Sequence, residues 1–516
     1  MKKKLTLITL VLILLLAAFL RLYRISDYMT FLGDEGRDVI VAREMLGGNL
    51  TLLGPRSSAG DFFMGPAYYY MITPWLWLFQ YDPVGPAVMV ALFGVLTVFL
   101  IYYVGKKWFN ERAGLFAAAL YAVSPLVLTY SHSSWNPNVL PFFSLLMLYL
   151  LYKAIQAEHP WKYFLIAGLL LGISLQLHYL ALFLCVVVFL YTFFGQWYQD
   201  KRINLLPVIK HYLLLLAGFV IGFSPFLAFE VRHGFPNTQT IARFIFGDTL
   251  QAAESHTGFL AIIGDIFFRV FGRLVFYYPA PDKYFQFTGT TLQIFAGFVI
   301  IMAISSLVSL RFVKDRRVVL LTVLWFVFGV GLFGLYKKSI YDYHFTFLFP
   351  LPFLLFGNFL SQLMQVKKWR RLFVILASVI FAGVFIYNLT GMPFRYEPNR
   401  QKNQVKTISE FVLSKTDGKP FNFALISSGN SDHAYRYYFD YLGHKPVTID
   451  NDANDPDRKS VTDQLLVVCE DPSCKPLGHP LFDVAAFGRA ELSGEWSVSV
   501  VKVYRLVHYH DGKSTH

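Results

Sequence analysis

The sequence predicts an all-α polytopic membrane protein of about eleven transmembrane helices, with a small extracytoplasmic α/β domain at its C-terminal end. Over 516 residues the composition is 55% hydrophobic and 15% charged, whereas soluble domains average about 25% charged residues. The apolar residues fall into blocks of roughly 18 to 25, the length that crosses a bilayer as a helix. Only the last part of the chain, 391–516, has the composition of a soluble domain.

Eleven blocks have the length and hydropathy of membrane spans. The first follows three lysines in the manner of a signal peptide, but no small-x-small cleavage site precedes Arg21, so we expect a retained helix. The predicted spans lie near 5–22, 84–104, 113–130, 138–154, 162–178, 180–196, 206–229, 289–310, 318–336, 345–362 and 372–389.

The basic residues of the short loops predict the orientation of the chain. They stand at 2–4, 106–112, 201–202, 314–317 and 367–371, all on one side of the membrane if eleven spans alternate. Lys and Arg mark cytoplasmic loops, so we expect a plasma or inner membrane protein with a cytoplasmic N-terminus. The net charge of +13 is mostly this orientation signal, with contacts to anionic membrane lipids. Nucleic acid is excluded as a partner, because the basic residues do not gather on one soluble domain.

Three segments are expected outside the membrane. We predict a transmembrane domain over 1–390, with outer loops at 23–83 and 230–288, and a soluble extracytoplasmic α/β domain over 391–516. In the latter, the predicted strands are 421–427, 445–449, 464–470 and 498–506, and the predicted helix is 434–443.

The three cysteines indicate little about function. Cys469 and Cys474 lie in the extracytoplasmic domain, where disulfides persist, and the sequence leaves open a bridge or two thiols. Cys185 lies in a predicted span and is interpreted as a packing residue.

The segment GDEGRDVIVAREML in the first outer loop is densely charged. Val39, Ala42 and Met45 recur at helical spacing, so we expect an amphipathic helix lying on the outer membrane surface. Asp34 and Glu35 then stand at its N-terminus. They either cap the helix and complement its dipole, or provide a general base or a metal ligand. The spacing does not decide between the two interpretations.

Three segments in order carry a family resemblance. They are GDEGRDVIVAREML, LGPRSSAGDFFMGPAYYYMITP at 53–74 and YSHSSWNPNVLPFFSLL at 130–146. Together they resemble the membrane-embedded GT-C glycosyltransferases, which include protein O-mannosyltransferases and lipid A aminoarabinose transferases. The similarity extends roughly over 1–240, and more loosely over the whole set of spans.

The resemblance implies a hexosyl- or pentosyltransferase. Such enzymes take a sugar from a polyprenyl-phosphate carrier and pass it, with inversion, to a glycan, lipid or protein acceptor on the outer face. Asp34 matches the family's loop aspartate, which activates the acceptor hydroxyl; a positioned base contributes about 10²–10⁴-fold. Glu35 matches its partner, which orients the site or binds a divalent cation, Mg²⁺ or Mn²⁺.

Two other functions remain alternatives at this point. A flippase or transporter of lipid-linked saccharides predicts charges along a path through the membrane midplane, where this sequence has few. A ligase or polymerase of preassembled glycans would favour arginines over an acidic pair.

Two departures from the family pattern are clear. Many relatives carry a second acidic residue where this chain has Asn138. Aminoarabinose transferases carry a lysine, which meets the lipid phosphate, where this chain has Gly65. The glycine in place of this lysine argues against an aminoarabinose transferase, and it implies that the carrier phosphate is bound by other residues.

Polar residues near the outer ends of spans are the candidates for substrate binding. Arg232 suits bidentate binding of phosphate, or pairs with Glu230. Lys337 and Lys338 are an outer positive pair, contrary to the usual charge bias, or they snorkel at the surface. His178 contacts sugar or metal, or is a hydrogen-bonded packing residue. The full candidate set is Arg37, Asn136, Asn138, His178, Arg232, His233, Lys337, Lys338 and His344.

Overall fold

A computed structural model of the chain describes residues 2–57, 60–200, 205–246, 258–278, 289–336, 338–471 and 473–509. Over these residues the chain is mostly helical and ends in a four-stranded sheet. It divides into two compact units. Unit 1 comprises Met1–Tyr23, Leu50–Ile72 and Pro86–Glu397, and unit 2 comprises Arg24–Asn49, Thr73–Gly85 and Pro398–His516.

The described residues form helices throughout the chain and four strands near its C-terminal end. The α-helices are α1 (Lys2–Leu22), α2 (Ile25–Tyr28), α3 (Gly33–Leu46), α4 (Ala67–Leu78), α5 (Val84–Trp108), α6 (Glu111–Ala122), α7 (Pro125–Ser131), α8 (Leu140–Gln156), α9 (Trp161–Leu177), α10 (Leu182–Asp200), α11 (Leu205–Gly222), α12 (Ser224–His233), α13 (Pro236–Phe246), α14 (Phe259–Gly272), α15 (Thr290–Val308), α16 (Arg316–Gly331), α17 (Pro350–Leu363), α18 (Arg370–Thr390), α19 (Gln401–Ser414), α20 (His433–Tyr441) and α21 (Phe482–Phe487). Short 3-10 helices lie at Asn136–Val139, Tyr179–Ala181, Ser309–Phe312, Leu332–Leu335, Asp342–Leu348 and Pro393–Arg395. The strands are β1 (Asn422–Ile426), β2 (Gln464–Cys469), β3 (Ala490–Val498) and β4 (Val501–His508).

The helices confirm a multi-pass membrane protein. Eight helices of the described chain are long and apolar enough to cross a bilayer, and two bent helix pairs bring the number to as many as ten. The predicted span near 162–178 corresponds to α9, whose 17 residues are slightly short for a helix that crosses a bilayer. The count of eleven therefore stays a prediction.

Helices α9 and α11 pack closely because each carries glycines four residues apart. A Cβ on Gly168 would overlap the backbone of Leu215, and a Cβ on Gly218 would overlap the backbone of Leu165. Small residues at this spacing let two helix backbones approach where lipid offers no hydrophobic driving force between helices.

The predicted continuous span near 113–130 is instead two helices, α6 and α7, bent by 63°. Pro125 begins α7 and cannot donate a backbone hydrogen bond to the turn before it. The carbonyls left at the end of α6 are bound by Arg21, which is fully buried and donates to Ala122 at 3.1 Å and Tyr121 at 3.4 Å. Proline likewise lies in the first turn of α12 and of α17, and the predicted spans 206–229 and 345–362 are also divided.

The sheet of unit 2 has the order β1-β2-β4-β3, with β1 and β2 parallel and the other pairs antiparallel. The predicted strands at 421–427 and 464–470 are confirmed. The predicted strand at 445–449 is wrong, because there only Val447 makes a single bridge, to Asn422. The predicted strand at 498–506 corresponds to β4 and wrongly includes the turn that precedes it. Strand β3 was missed, because it is a mostly exposed edge strand without an apolar pattern.

Strands β1 and β2 are buried along their whole length. Ala424 belongs to the cluster that includes Phe487 of α21. On the other face, Phe423 packs edge-on against Phe439 of α20, with ring centroids 4.8 Å apart. Cys469 and Cys474 form a disulfide.

Helix α3 belongs to unit 2 and packs against α20. A Cβ on Gly36 would overlap the backbone of Ala434, so the two helices lie in close contact. The expected placement of α3 on the membrane surface is wrong, because its apolar side chains Val39, Ala42 and Met45 are buried in protein. The compact units thus differ from the expected domains 1–390 and 391–516, since α3 lies with the residues that follow Pro398.

The contact between α3 and α20 predicts the effect of one methyl group. Gly36→Ala is expected to destabilise the protein by about 1–3 kcal/mol, because the backbone of Ala434 has to move. The measurement is the melting temperature of the purified protein.

The matched control is Gly429→Ala, in the same unit, where an added Cβ has open space around it. Equal melting temperatures for Gly36→Ala and Gly429→Ala would contradict the close packing.

Candidate active site

The first turn of α3 is held by hydrogen bonds to its backbone. The Leu32 N–H donates to the Glu35 carboxylate at 3.1 Å, and Glu35 is buried. The Gly33 N–H donates to Asn430 Oδ1 at 2.9 Å. Donors at a helix start lack partners within the helix, so Glu35 has the capping role that one interpretation of the sequence assigned to the acidic pair.

Asp34 has a different environment from Glu35. Its side chain is 51% exposed, and its Oδ1 accepts a hydrogen bond from Arg37 Nη1 at 2.8 Å. An exposed carboxylate with one charged partner can accept a proton from a solute. Glu35 thus caps the helix, whereas Asp34 faces outward.

Asp38 was missed by the sequence analysis. Its Oδ1 accepts hydrogen bonds from Arg37 Nη2 at 2.7 Å and Nε at 3.0 Å. Its Oδ2 is buried and makes no hydrogen bond with any described residue. Burial raises the pKa of Asp38 to about 7, although the neighbouring Arg37 opposes the increase. The available signal was the spacing, since Asp34 and Asp38 lie four residues apart on either side of Arg37.

The segment after β1 and the end of β2 surround the start of α3. Asn430 Nδ2 donates to the Glu470 carboxylate at 3.2 Å, and Tyr435 Oη donates to Glu470 Oε1 at 2.8 Å. Ser431 Oγ lies 2.8 Å from His433 Nδ1, and burial lowers the pKa of His433. The carboxyl ends of parallel strands are the usual ligand-binding edge of an open α/β sheet, and here they support the helix that carries Asp34.

The acidic residues of α3 do not form a typical metal site. The Glu35 carboxylate accepts a hydrogen bond from the Leu32 N–H, and the Asp34 carboxylate accepts one from Arg37. Within the described ranges, no group of three His, Cys, Asp or Glu side chains could hold an ion. The Mg²⁺ or Mn²⁺ site at Glu35 remains a prediction from the resemblance, and no chemical step is assigned to a metal.

In unit 1, the predicted asparagines fix the backbone. Asn136 Nδ2 donates to the Leu177 carbonyl, and Asn138 Nδ2 donates to the Ser133 carbonyl at 2.9 Å. Asn138 Oδ1 is buried and accepts no hydrogen bond from the described residues. Asn138 therefore has one buried acceptor without a partner among the described residues.

Two of the three predicted histidines of unit 1 lie together. The rings of His178 and His344 are 5.6 Å apart. His178 Nδ1 accepts the Leu180 N–H, and His344 Nδ1 accepts the Tyr341 N–H, both at 3.3 Å. Each histidine thus holds a turn of the backbone by Nδ1.

At the end of α12, Arg232 is exposed. The alternative that it pairs with Glu230 is wrong, because Glu230 accepts hydrogen bonds from the N–H groups of Asn237 and Thr238, at 3.2 and 2.7 Å, and so caps α13. His233 Nδ1 lies 2.9 Å from the Phe229 carbonyl oxygen. Lys337 lies outside the described residues.

A cavity of about 430 Å³ opens in unit 1, and we call it the apolar cavity. Lys338 and Gly65 both line it, with Tyr179, Tyr336 and otherwise apolar side chains such as Phe183. The hydroxyls of Tyr179 and Tyr336 are 2.6 Å apart. Gly65, which stands where aminoarabinose transferases carry a lysine, therefore lines the same cavity as Lys338.

Comparisons with known proteins identify the fold. A family model described as dolichyl-phosphate-mannose-protein mannosyltransferase matches residues 64–229. ArnT from Cupriavidus metallidurans in the apo state is similar in structure, with a TM-score of 0.63 at 14% identity and 98% of each chain covered. The chain has the ArnT-like GT-C fold. The resemblance expected from the sequence is thus confirmed for the fold.

Other solved structures share the GT-C fold. The same ArnT bound to undecaprenyl phosphate matches with a TM-score of 0.60 at 15% identity, over 97% of each chain. The oligosaccharyltransferase AglB from Archaeoglobus fulgidus, in complex with an inhibitory peptide and a dolichol-phosphate, matches with a TM-score of 0.56 at 14% identity, over 98% of this chain and 74% of that one. No curated protein sequence matches this one.

Within this GT-C fold, a buried charge cluster was also missed by the sequence analysis. Arg269 is buried and donates to Asp342 Oδ1 at 2.9 Å and to Asp265 Oδ2 at 3.1 Å. Arg273 Nη1 lies 2.7 Å from Asp342 Oδ2. The available signal was two arginines four residues apart in the apolar stretch DIFFRVFGR, since buried charges in membrane proteins are rare and often functional.

The burial of Asp38 predicts a pH dependence of stability. In the unfolded chain Asp38 ionises near its ordinary pKa of 3.8, whereas in the folded protein its pKa is about 7. Between these values the unfolded state releases a proton that the folded state keeps, so the free energy of unfolding falls as the pH rises from about 4 to about 7. Asp38→Asn cannot ionise, so its free energy of unfolding, and with it its melting temperature, is expected to rise relative to that of the wild type over this window. The free-energy difference grows by at most about 1.4 kcal/mol per pH unit.

Melting curves at a series of pH values measure the difference, with the exposed Asp452→Asn as the control. A difference between Asp38→Asn and wild type that does not change with pH would show that Asp38 ionises in the folded state as it does in the unfolded chain.

Proposed function

We propose that this protein is a membrane glycosyltransferase that transfers a sugar, with inversion, from a polyprenyl-phosphate carrier to an acceptor hydroxyl on the extracytoplasmic face. The observation that carries the proposal is the end-to-end likeness to ArnT, a protein solved with bound undecaprenyl phosphate. A shared fold does not by itself determine activity. The features of α3 and of the apolar cavity add support from the chemistry of this chain.

Asp34 is the proposed general base. Its exposed carboxylate takes the proton of the acceptor hydroxyl, and the oxygen attacks the anomeric carbon from the face opposite the carrier phosphate. The bond between that carbon and the phosphate oxygen breaks, and the phosphate leaves with the electron pair. One displacement inverts the anomeric centre. The Arg37–Asp34 contact at 2.8 Å fixes the orientation of the carboxylate.

The apolar cavity is the proposed site of the carrier. Its aliphatic and aromatic walls suit an isoprenoid chain, because burial of apolar surface is favourable. Lys338, which lines the same cavity, supplies the positive charge for the carrier phosphate. Gly65 has no side chain that could supply it. The hydroxyls of Tyr179 and Tyr336 add hydrogen-bond donors for phosphate oxygens.

The role of Asp34 is tested by Asp34→Asn. The substitution keeps the size of the side chain and removes its basicity, so turnover from a synthetic polyprenyl-phosphate sugar is expected to fall by about 10²–10⁴-fold. Glu44→Gln, at the exposed far end of α3, is the matched neutralisation and is expected to retain wild-type turnover.

Unchanged turnover in a folded Asp34→Asn variant would remove Asp34 as the base. Movement of the carrier across vesicles without sugar transfer would favour the flippase alternative.

The role of Lys338 is tested by the affinity for undecaprenyl phosphate. Lys338→Gln is expected to raise Kd roughly tenfold or more, because it loses a charge-assisted hydrogen bond, whereas Lys338→Arg retains most of the affinity. Lys162→Gln, an exposed lysine at the start of α9, is the control for net charge. A loss in Arg232→Gln, with none in Lys338→Gln, would instead assign the phosphate to the end of α12.

A further inference from the structure

A second cavity in unit 1, of about 680 Å³, has a different lining from the apolar cavity. Its volume is within the ~300–1,000 Å³ typical of small-molecule sites. We call it the tyrosine cavity, because six tyrosines line it together with one arginine and one aspartate. The tyrosines are Tyr130, Tyr277, Tyr278, Tyr341, Tyr343 and Tyr396.

Tyr277 is held in this lining by an unusual backbone conformation. Its φ is 44°, in the left-handed region that few residues other than glycine adopt. Its ring lies against Gly391, where a Cβ would overlap the ring atoms. Conformations of this kind persist only where the surrounding structure enforces them, and they are concentrated at binding sites and active sites.

Two hydroxyls of the tyrosine cavity are available to a ligand. Tyr130 and Tyr277 are half-buried, and within the part of the chain that the structure describes neither hydroxyl makes a hydrogen bond. A tyrosine hydroxyl both donates and accepts. Hydroxyls of this kind, beside aromatic rings, match a ligand that has many hydroxyls of its own and apolar C–H faces.

The charges on the lining cancel. Arg273 and Asp342 are the charged residues of the lining, and they form an ion pair at 2.7 Å. Behind them Arg269 is balanced by Asp265, at 3.1 Å. The cavity therefore has no net charge to attract an anion, whereas an Arg–Asp pair can donate to one hydroxyl and accept from the next.

We propose that the tyrosine cavity binds a neutral sugar unit of the acceptor. The assignment to the acceptor rests on the proposed function, in which the carrier occupies the apolar cavity. His344 joins the two cavities, because its ring lies 4.3 Å from Tyr343 of the tyrosine cavity and 5.7 Å from Tyr336 of the apolar cavity. Donor and acceptor would thus bind on either side of one aromatic wall.

The test is binding of neutral glycosides to the full-length purified protein in detergent. The probes are the methyl glycosides of glucose, galactose, mannose and N-acetylglucosamine, followed by saturation-transfer NMR, with glucose 6-phosphate and inorganic phosphate as charged comparisons. At least one neutral glycoside is expected to bind. Tyr277→Phe and Tyr130→Phe are expected to weaken it roughly three- to tenfold each, the effect of one lost hydrogen bond.

Tyr191→Phe is the matched control, because it removes a hydroxyl that has no described partner and lies away from the cavity. It is expected to bind like the wild type. The proposal is overturned if no neutral glycoside binds, if Tyr277→Phe and Tyr130→Phe bind as well as Tyr191→Phe, or if the phosphates bind more tightly than the glycosides. Binding requires neither a carrier nor turnover, so a negative result would leave the transferase proposal standing, and loss of transfer in Asp34→Asn would not depend on it.

Discussion

A charge buried in protein costs several kcal/mol unless a partner compensates it, and this constraint arranges the polar sites of the chain. Arg21 gives its donors to the open carbonyls of α6, and Arg269 is balanced by two carboxylates. Arg37 is shared between buried Asp38 and exposed Asp34. Because the buried groups are engaged in this way, Asp34 is distinguished by its exposure, and exposure is what a base acting on a dissolved acceptor requires.

The fold was predictable wherever one apolar pattern determines one element. Hydropathy located the spans, and the buried strands β1 and β2 were evident from their apolar runs. The break between α6 and α7 was missed, although Pro125 marks it, because both halves are apolar; the carbonyl oxygens left there are bound by Arg21 from another helix. Strand β3 was missed because an exposed edge strand has no apolar face. The packing of α3 on α20 depends on the backbone contact at Gly36, which no local pattern encodes.

The candidate site was predictable in part, through the resemblance. Asp34 and Glu35 were both chosen as candidates, but the capping by Glu35 and the exposure of Asp34 depend on the Leu32 N–H and on packing, which sequence spacing cannot give. Asp38 was not among the candidates, because its burial depends on how the helix packs. Arg269 and Asp342 are 73 residues apart, and only the fold makes them a pair. Lys338 and Gly65 likewise share a cavity only in three dimensions.

The hydrogen bond from Gly33 to Asn430 joins residues 397 positions apart. A ribosome adds about 5–20 residues per second, so α3 waits roughly 20–80 s for the segment that holds it. During that time α3, which bears the proposed base, has been synthesised but lacks its hydrogen bond to Asn430. The proposed sugar transfer would therefore begin only after translation reaches the last part of the chain, and an interrupted polypeptide would carry the spans but no assembled unit 2.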